Sequence, residues 1–236
     1  MRKGLFISVD GPNGAGKTTF IKRLARNVDQ RFAILENEYG AAGIDGARLG
    51  QNRQGTQKNV WEMTEQCICC IGKKDFAASV LTIANVVDPE YLIVEPTGVG
   101  SLARIIENLR QIEYERIQLL SPVTIVDVYS YRRYMAEYPE LYQDQIRSAD
   151  TIIVSKTEAC QAEEKQRIQK FLQEINPQAK IITDYASTMT REDYQSLLLG
   201  GRYEKEVQDT QSGEKMPETF SFENIRMEAP ETLWCF

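Results

Sequence analysis

Residues 11–18 read GPNGAGKT, and the apolar, β-rich run LFISVD (5–10) leads straight into them. The spacing G-x-x-x-x-G-K-[ST], placed after a strand and before a helix, curls the backbone so that its N–H groups face a phosphate. The amino terminus of the following helix adds a favourable field for the same anion. In such a loop the Lys17 ammonium reaches the β- and γ-phosphates and the Thr18 hydroxyl ligates Mg²⁺. Gly11, Asn13, Gly14, Ala15, Gly16, Lys17, Thr18 and Thr19 therefore form a candidate nucleoside triphosphate site. The feature demands a strand–loop–helix unit, which commits the chain to an α/β architecture.

The remaining sequence agrees. Short apolar runs recur at 5–10, 32–36, 91–95, 123–128, 151–155 and 180–183, separated by amphipathic stretches at 17–28, 74–87, 102–110, 131–147, 161–175 and 191–199. This alternation predicts a three-layer fold, a mostly parallel sheet flanked by helices. Residues 37–60, rich in Gly, Asn and Gln, read as an exposed loop. Residues 1–200 form the expected domain, 201–217 a polar linker, and 218–236 the start of a truncated or reduced C-terminal domain opened by FSFENIRM. Neither a repeat nor a low-complexity tract interrupts the chain.

Charge and composition remove several function classes. A formal charge of −6 and a pI near 5.0 give no general attraction to nucleic acid or to an acidic membrane surface. No apolar run approaches the ~20 residues needed to span a bilayer. The start, MRKGLFISVDG, mimics a signal peptide, but Asp10 ends the apolar run and the phosphate loop follows at once, so it reads as a first strand. A cytoplasmic, reducing location is expected, where five cysteines do not form structural disulfides. With no histidine anywhere, an imidazole base and a His metal ligand are both excluded.

Two further motifs belong beside the phosphate loop. VEPTG (94–98) closes a buried strand with Glu95 and then turns on Gly98. Ligands gather at the carboxyl ends of strands in open α/β sheets, so Glu95 approaches Mg²⁺ or its waters and the Gly98 N–H senses a γ-phosphate. Lys17, Thr18 and Glu95 are accordingly the candidate catalytic residues, and Thr18 and Glu95 the candidate magnesium ligands. SKTE (155–158) follows a strand as the guanine-reading N-K-x-D does, with Ser155 for Asn and Glu158 for Asp. A carboxylate there accepts the guanine N–H groups while the Lys156 stem lies over the base, which favours GTP over ATP.

Cys67, Cys69 and Cys70 fall within four consecutive positions, CICC. A closed zinc site needs a second pair of ligands, and Cys160 and Cys235 are isolated. A redox C-x-x-C opens a helix after a strand, and no strong strand is read before Cys67. Burial as small hydrophobes is the structural alternative. An open, exchangeable, thiolate-rich metal site is the remaining reading.

Taken in order, GPNGAGKTT (11–19), ENEYGAAGID (36–45), CICC (67–70), EPTG (95–98), VTIVDV (123–128) and SKTE (155–158) resemble the CobW-like metallochaperone P-loop GTPases. These are related to the nickel-insertion GTPases of urease and hydrogenase maturation. The resemblance covers about residues 1–200. It implies a slow GTPase that binds Zn²⁺ or Co²⁺ at Cys67, Cys69 and Cys70 and delivers it to a client metalloenzyme or cofactor-synthesis protein, with a nucleotide-dependent homodimer as one arrangement. It also implies Glu36 as a fourth ligand or coupling residue. Two departures stand out: Ala41 occupies a position that is acidic in many relatives, and the second domain is reduced at most to its first strand, so the chain is a fragment or a natural short form.

Two rival readings remain open from the residues. FISVDGPNGAGKTT also suits a nucleoside-monophosphate kinase, although Arg132 and Arg133 are a lone pair of lid arginines. A nucleotide-dependent regulatory protein with a cysteine redox sensor is the other.

Overall fold

The computed structural model describes residues 4–37, 59–63, 80, 81, 85, 89–96, 98, 100–113, 117–199 and 201–207. Among them eight strands form one sheet: β1 (Gly4–Asp10), β2 (Phe32–Asn37), β3 (Asn59–Met63), β4 (Tyr91–Glu95), β5 (Ile117–Leu119), β6 (Val123–Asp127), β7 (Thr151–Ser155) and β8 (Lys180–Ile182). The order is β3-β2-β4-β1-β6-β7-β8, and every pairing between these strands is parallel. β5 lies against the start of β1 and β6 against its end, so two short strands share one edge of the central strand. The expected α/β fold is present.

Every residue of β4, β6 and β7 is buried. Strands of that kind need cover on both faces. Alternate side chains supply two cores. Phe32, Ile34, Tyr91, Ile93, Val123, Ile125 and Ile153 pack with Phe20, Ile21 and Leu24 of α1 (Lys17–Asn27). On the other face, Ala33, Leu35, Leu92 and Val94 pack under α2 (Leu102–Arg110). Val126, Ile152 and Val154 pack under α3 (Tyr131–Glu137), α4 (Pro139–Ser148) and α5 (Ala162–Ile175). The short α6 (Tyr185–Thr188) and α7 (Arg191–Leu198) return to the α1 side, where Thr190 and Asp193 form a capping box.

Several elements depart from expectation. The single helix over 131–147 is two, because Tyr138 (φ −139°, ψ 61°) leaves the helical region before Pro139 opens the next helix. A residue before proline is disfavoured in the α region, and proline is at home in a first turn. β3 begins at Asn59 and β2 runs to Asn37, so both ends of the expected 37–60 loop are strand. Of the helix expected at 74–87, residues 80, 81 and 85 are described, and all three are helical. No helix of the described residues is long and apolar enough to cross a membrane.

The stretch expected as a linker is described to residue 207, and it docks on the domain. The Tyr203 N–H donates to the Leu119 carbonyl (2.9 Å) and its hydroxyl to the Ser148 carbonyl (2.6 Å). Arg202 pairs with Glu113 at 2.9 Å, and the Lys205 amine donates to the Arg147 carbonyl. Residues 218–236 lie outside the described residues.

The carboxyl end of α4 leaves carbonyls that no intrahelical N–H can reach. Asn176, 4% exposed, donates its amide to the carbonyls of Ile146 (2.8 Å), Arg147 (3.2 Å) and Ala149 (2.9 Å). Replacing Asn176→Ala strands buried acceptors and should cost about 1–3 kcal/mol, read as a lowered midpoint in urea denaturation.

Candidate functional site

Strand order reverses at β1, with β2 and β4 on one side and β6 and β7 on the other. Ligand sites of open α/β sheets lie at the carboxyl ends of strands at such a switch point. The loop Gly11–Gly16 starts there. Gly11 has φ +136°, and a Cβ on it would lie 2.3 Å from the Ile125 carbonyl oxygen of β6. Only glycine meets both conditions. The Ala15 N–H donates to the Pro12 carbonyl (3.1 Å) and closes the turn. α1 opens on Gly16 in the left-handed region without a side-chain cap, so no side chain competes for the N–H groups of its first turn. Lys17 is 8% exposed, and its amine donates to the Gly11 (2.8 Å) and Pro12 (3.2 Å) carbonyls, directly over the loop. Asn13, Gly14 and Thr19 are exposed, whereas Ala15 is buried.

The Thr18 hydroxyl donates to Glu95 Oε1 at 2.9 Å, across 77 residues of sequence. β4 delivers Glu95 there because Ser8 of β1 stands beside Val94. A hydroxyl and a carboxylate at hydrogen-bond distance, next to a phosphate loop, are the hard oxygen donors that Mg²⁺ takes. Gly98 follows and leans on the loop: a Cβ there would sit 2.2 Å from the Asn13 nitrogen, and its own N–H donates to Asn13 Oδ1 at 3.0 Å.

On the other side of β1, Ser155 closes β7 and donates its hydroxyl to the Ala15 carbonyl at 2.6 Å. Lys156 takes φ +59° and bonds Asp127 Oδ2 at 2.5 Å. Glu158 is exposed beyond it, while Thr157 between them is 2% exposed. The structure thus gathers Lys17, Thr18, Glu95, Gly98, Ser155 and Lys156 around one loop. Asp127 belongs with them, although the sequence reading assigned it no role. Its signal was its place as the polar residue ending a buried strand, as Glu95 and Ser155 are.

The metal motif is placed in part. Cys67, Cys69 and Cys70 lie outside the described residues, as does Ala41. Glu36 is located by register: it stands beside Glu95 of β4 on one side and Glu62 of β3 on the other. β3 ends at Met63, four residues before Cys67, so a strand does precede the cysteines and the contrary expectation is corrected. Its signal, VWEM, was too short and too charged to read as a strand. Among the described residues no group of three metal-ligating side chains occurs, and Cys160 is a free thiol.

Asp10 is a second residue whose place at the site no motif signals. It is fully buried, and its Oδ1 accepts the Gly11 N–H at 2.7 Å, while its Oδ2 has no hydrogen-bond partner among the described residues. Burial raises its carboxyl pKa from 3.8 to about 7, against the opposing pull of the Gly11 N–H and Lys17, with Asp144 adding to the rise. A folded-state pKa above the unfolded value means that the unfolded chain releases its proton first. Stability should therefore fall as pH rises from about 4 to about 7 and level off above. Asp10→Asn should flatten that slope, which urea midpoints measured across this pH range would show.

The fold has known counterparts. Zn(II)-bound YjiA GTPase from E. coli superposes with a TM-score of 0.58 at 23% identity, covering 80% of this chain and 59% of that one. The hydrogenase maturation factor HypB of Archaeoglobus fulgidus gives 0.56 at 17% identity, covering 83% and 89%. At these identities the likeness is one of fold. The zinc chaperone YeiR of Escherichia coli (strain K12) is 29% identical over 177 residues, 74% of this chain and 53% of the relative. The chain spans about half the length of the curated relatives it matches. The family described as CobW/HypB/UreG, nucleotide-binding domain matches residues 5–183, a span that runs from β1 past Lys156, and the chain belongs to it.

Proposed function

We propose that this chain is a GTP-binding, slowly hydrolysing metallochaperone domain that takes a transition metal at Cys67, Cys69 and Cys70 and yields it to a client under nucleotide control. Names among its relatives, zinc chaperone and zinc-regulated GTPase metalloprotein activator, favour Zn²⁺ over Co²⁺ as the cargo. The observation that carries the reading is the row Glu62–Glu36–Glu95 across β3, β2 and β4. Glu95 holds Thr18 at the nucleotide side, Glu36 is the neighbouring residue in register, and β3 leads within four residues to Cys67. A shift of one strand end is thereby felt at the next.

The roles follow from position. The first-turn amides of α1 and the Lys17 ammonium bind the β- and γ-phosphates. Thr18 and Glu95 hold Mg²⁺, which when bound neutralises charge on the β- and γ-phosphate oxygens. Gly98 offers its N–H to the γ-phosphate. Ser155, by holding the Ala15 carbonyl, fixes the Lys156 stem beside the loop for a guanine base, with Glu158 as the acceptor of its N–H groups. Among the described residues none is assigned as a general base, and hydrolysis is slow without a partner. Residues 1–200, with 201–207 docked on them, act as the unit, in the cytoplasm, alone or as a nucleotide-dependent homodimer.

Thiols with an ordinary pKa of about 8.5 must lose protons to bind the metal, so affinity should rise with pH. The coupling is reciprocal: Zn²⁺ should alter nucleotide affinity by the factor by which nucleotide alters Zn²⁺ affinity, about fivefold or more. Competition titrations of the reduced protein with GDP and with a non-hydrolysable GTP analogue test this, and equal Zn²⁺ affinity in both sinks the switch. The triple variant Cys67→Ser, Cys69→Ser, Cys70→Ser should lose stoichiometric Zn²⁺ while keeping GDP. Phosphate transfer to a nucleoside monophosphate faster than hydrolysis would put a kinase in its place.

A further inference from the structure

Gln145 lies on α4, 1% exposed, and its amide nitrogen donates to the carbonyls of Gly98 (3.3 Å) and Gly100 (3.2 Å). Both carbonyls belong to the turn after Glu95. The same helix position is pinned from the sheet, because the Thr124 hydroxyl of β6 donates to the Gln145 main-chain carbonyl at 2.9 Å. One residue earlier, Asp144 accepts the Ala103 N–H (3.3 Å), in the first turn of α2, whose cap is Ser101. α4 therefore grips the turn at its middle and at its exit.

Gly98 is held at both its backbone groups. Its carbonyl accepts from Gln145, and its N–H donates to Asn13 Oδ1 of the phosphate loop (3.0 Å). Asn13 is itself steadied through its main-chain carbonyl, which accepts the Tyr134 hydroxyl of α3 at 3.2 Å. From these contacts we infer that Asn13 and Gln145 form a latch on the switch turn, and that Gln145 is a positioning residue through which γ-phosphate recognition is coupled to α4.

The inference rests on the nucleotide-site reading above and deepens it. A γ-phosphate oxygen that takes the Gly98 N–H must displace the Asn13 amide oxygen from it. Moving Gly98 also strains or breaks the two hydrogen bonds from Gln145, whose Oε1 is buried with no partner among the described residues and so offers a replacement acceptor to the turn. A nucleoside diphosphate makes no demand on Gly98 and leaves the latch closed. The latch thus opposes triphosphate binding selectively, and the displaced bonds carry the signal into α4, whose far end holds Asn176 and Tyr203.

The test is the ratio of affinities for a non-hydrolysable GTP analogue and GDP, by fluorescence titration with Mg²⁺ in excess. Gln145→Met keeps the side-chain length and removes the donor, and Asn13→Ala opens the latch from an exposed position that cannot unfold a core. Each should shift the ratio toward the analogue by about five- to tenfold, and Gln145→Met, whose side chain meets the turn and not the nucleotide site, should keep GDP affinity within twofold of wild type. The two shifts should be non-additive in the double variant, since both act on one peptide unit. A ratio that stays at the wild-type value in both, or moves toward GDP, overturns the latch. Failure of the wild-type protein to bind either nucleotide would instead overturn the nucleotide-site reading.

Discussion

The close approach of Gly11 to the end of β6 governs the rest of the site. With a methyl position only 2.3 Å from the Ile125 carbonyl oxygen, the chain leaves β1 in the one direction open to it, at φ +136°. That turn sets where the loop curls, hence where the amides of α1 point and where Thr18 meets Glu95. Gly98 repeats the device from the other flank, at 2.2 Å from the Asn13 nitrogen. Backbone thereby packs on backbone, and the positions of three strand ends are fixed to within an atom's width.

Around this turn the strand ends are polar where the strand bodies are apolar: Asp10, Glu95, Asp127 and Ser155 close β1, β4, β6 and β7. Three carboxylates near a triphosphate would be costly without cations. Lys17 and Lys156 supply them, one over the loop and one against Asp127. Asp10 is handled differently, through burial that favours its neutral form. At Asp127 the negative charge meets an ammonium, and at Asp10 burial suppresses it.

α4 ties this site to the remainder of the domain. Its interior touches β6 through Thr124 and the turn after Glu95 through Gln145, its end is capped by Asn176, which follows α5, and Tyr203 closes over Ser148. The helix begins at Pro139, and the break at Tyr138 lets α3 swing its Tyr134 onto the phosphate loop.

The sequence by itself determined the phosphate loop, the strands of the sheet centre and the family, because those depend on local spacing: glycines that permit a turn, apolar runs long enough to be buried, and a lysine one residue into a helix. It did not determine β3, β5 or the helix break, where strands of three to five residues carry too few apolar positions to stand out. Nor did it reveal Asp127 beneath Lys156, Gln145 beneath Gly98, or Glu36 in register with Glu95. Those partners are 29, 47 and 59 residues apart, and which of them meet depends on the order in which the strands join the sheet. Local chemistry sets what each segment can do; only the parallel topology, by bringing strand ends to one edge, decided which segments do it together.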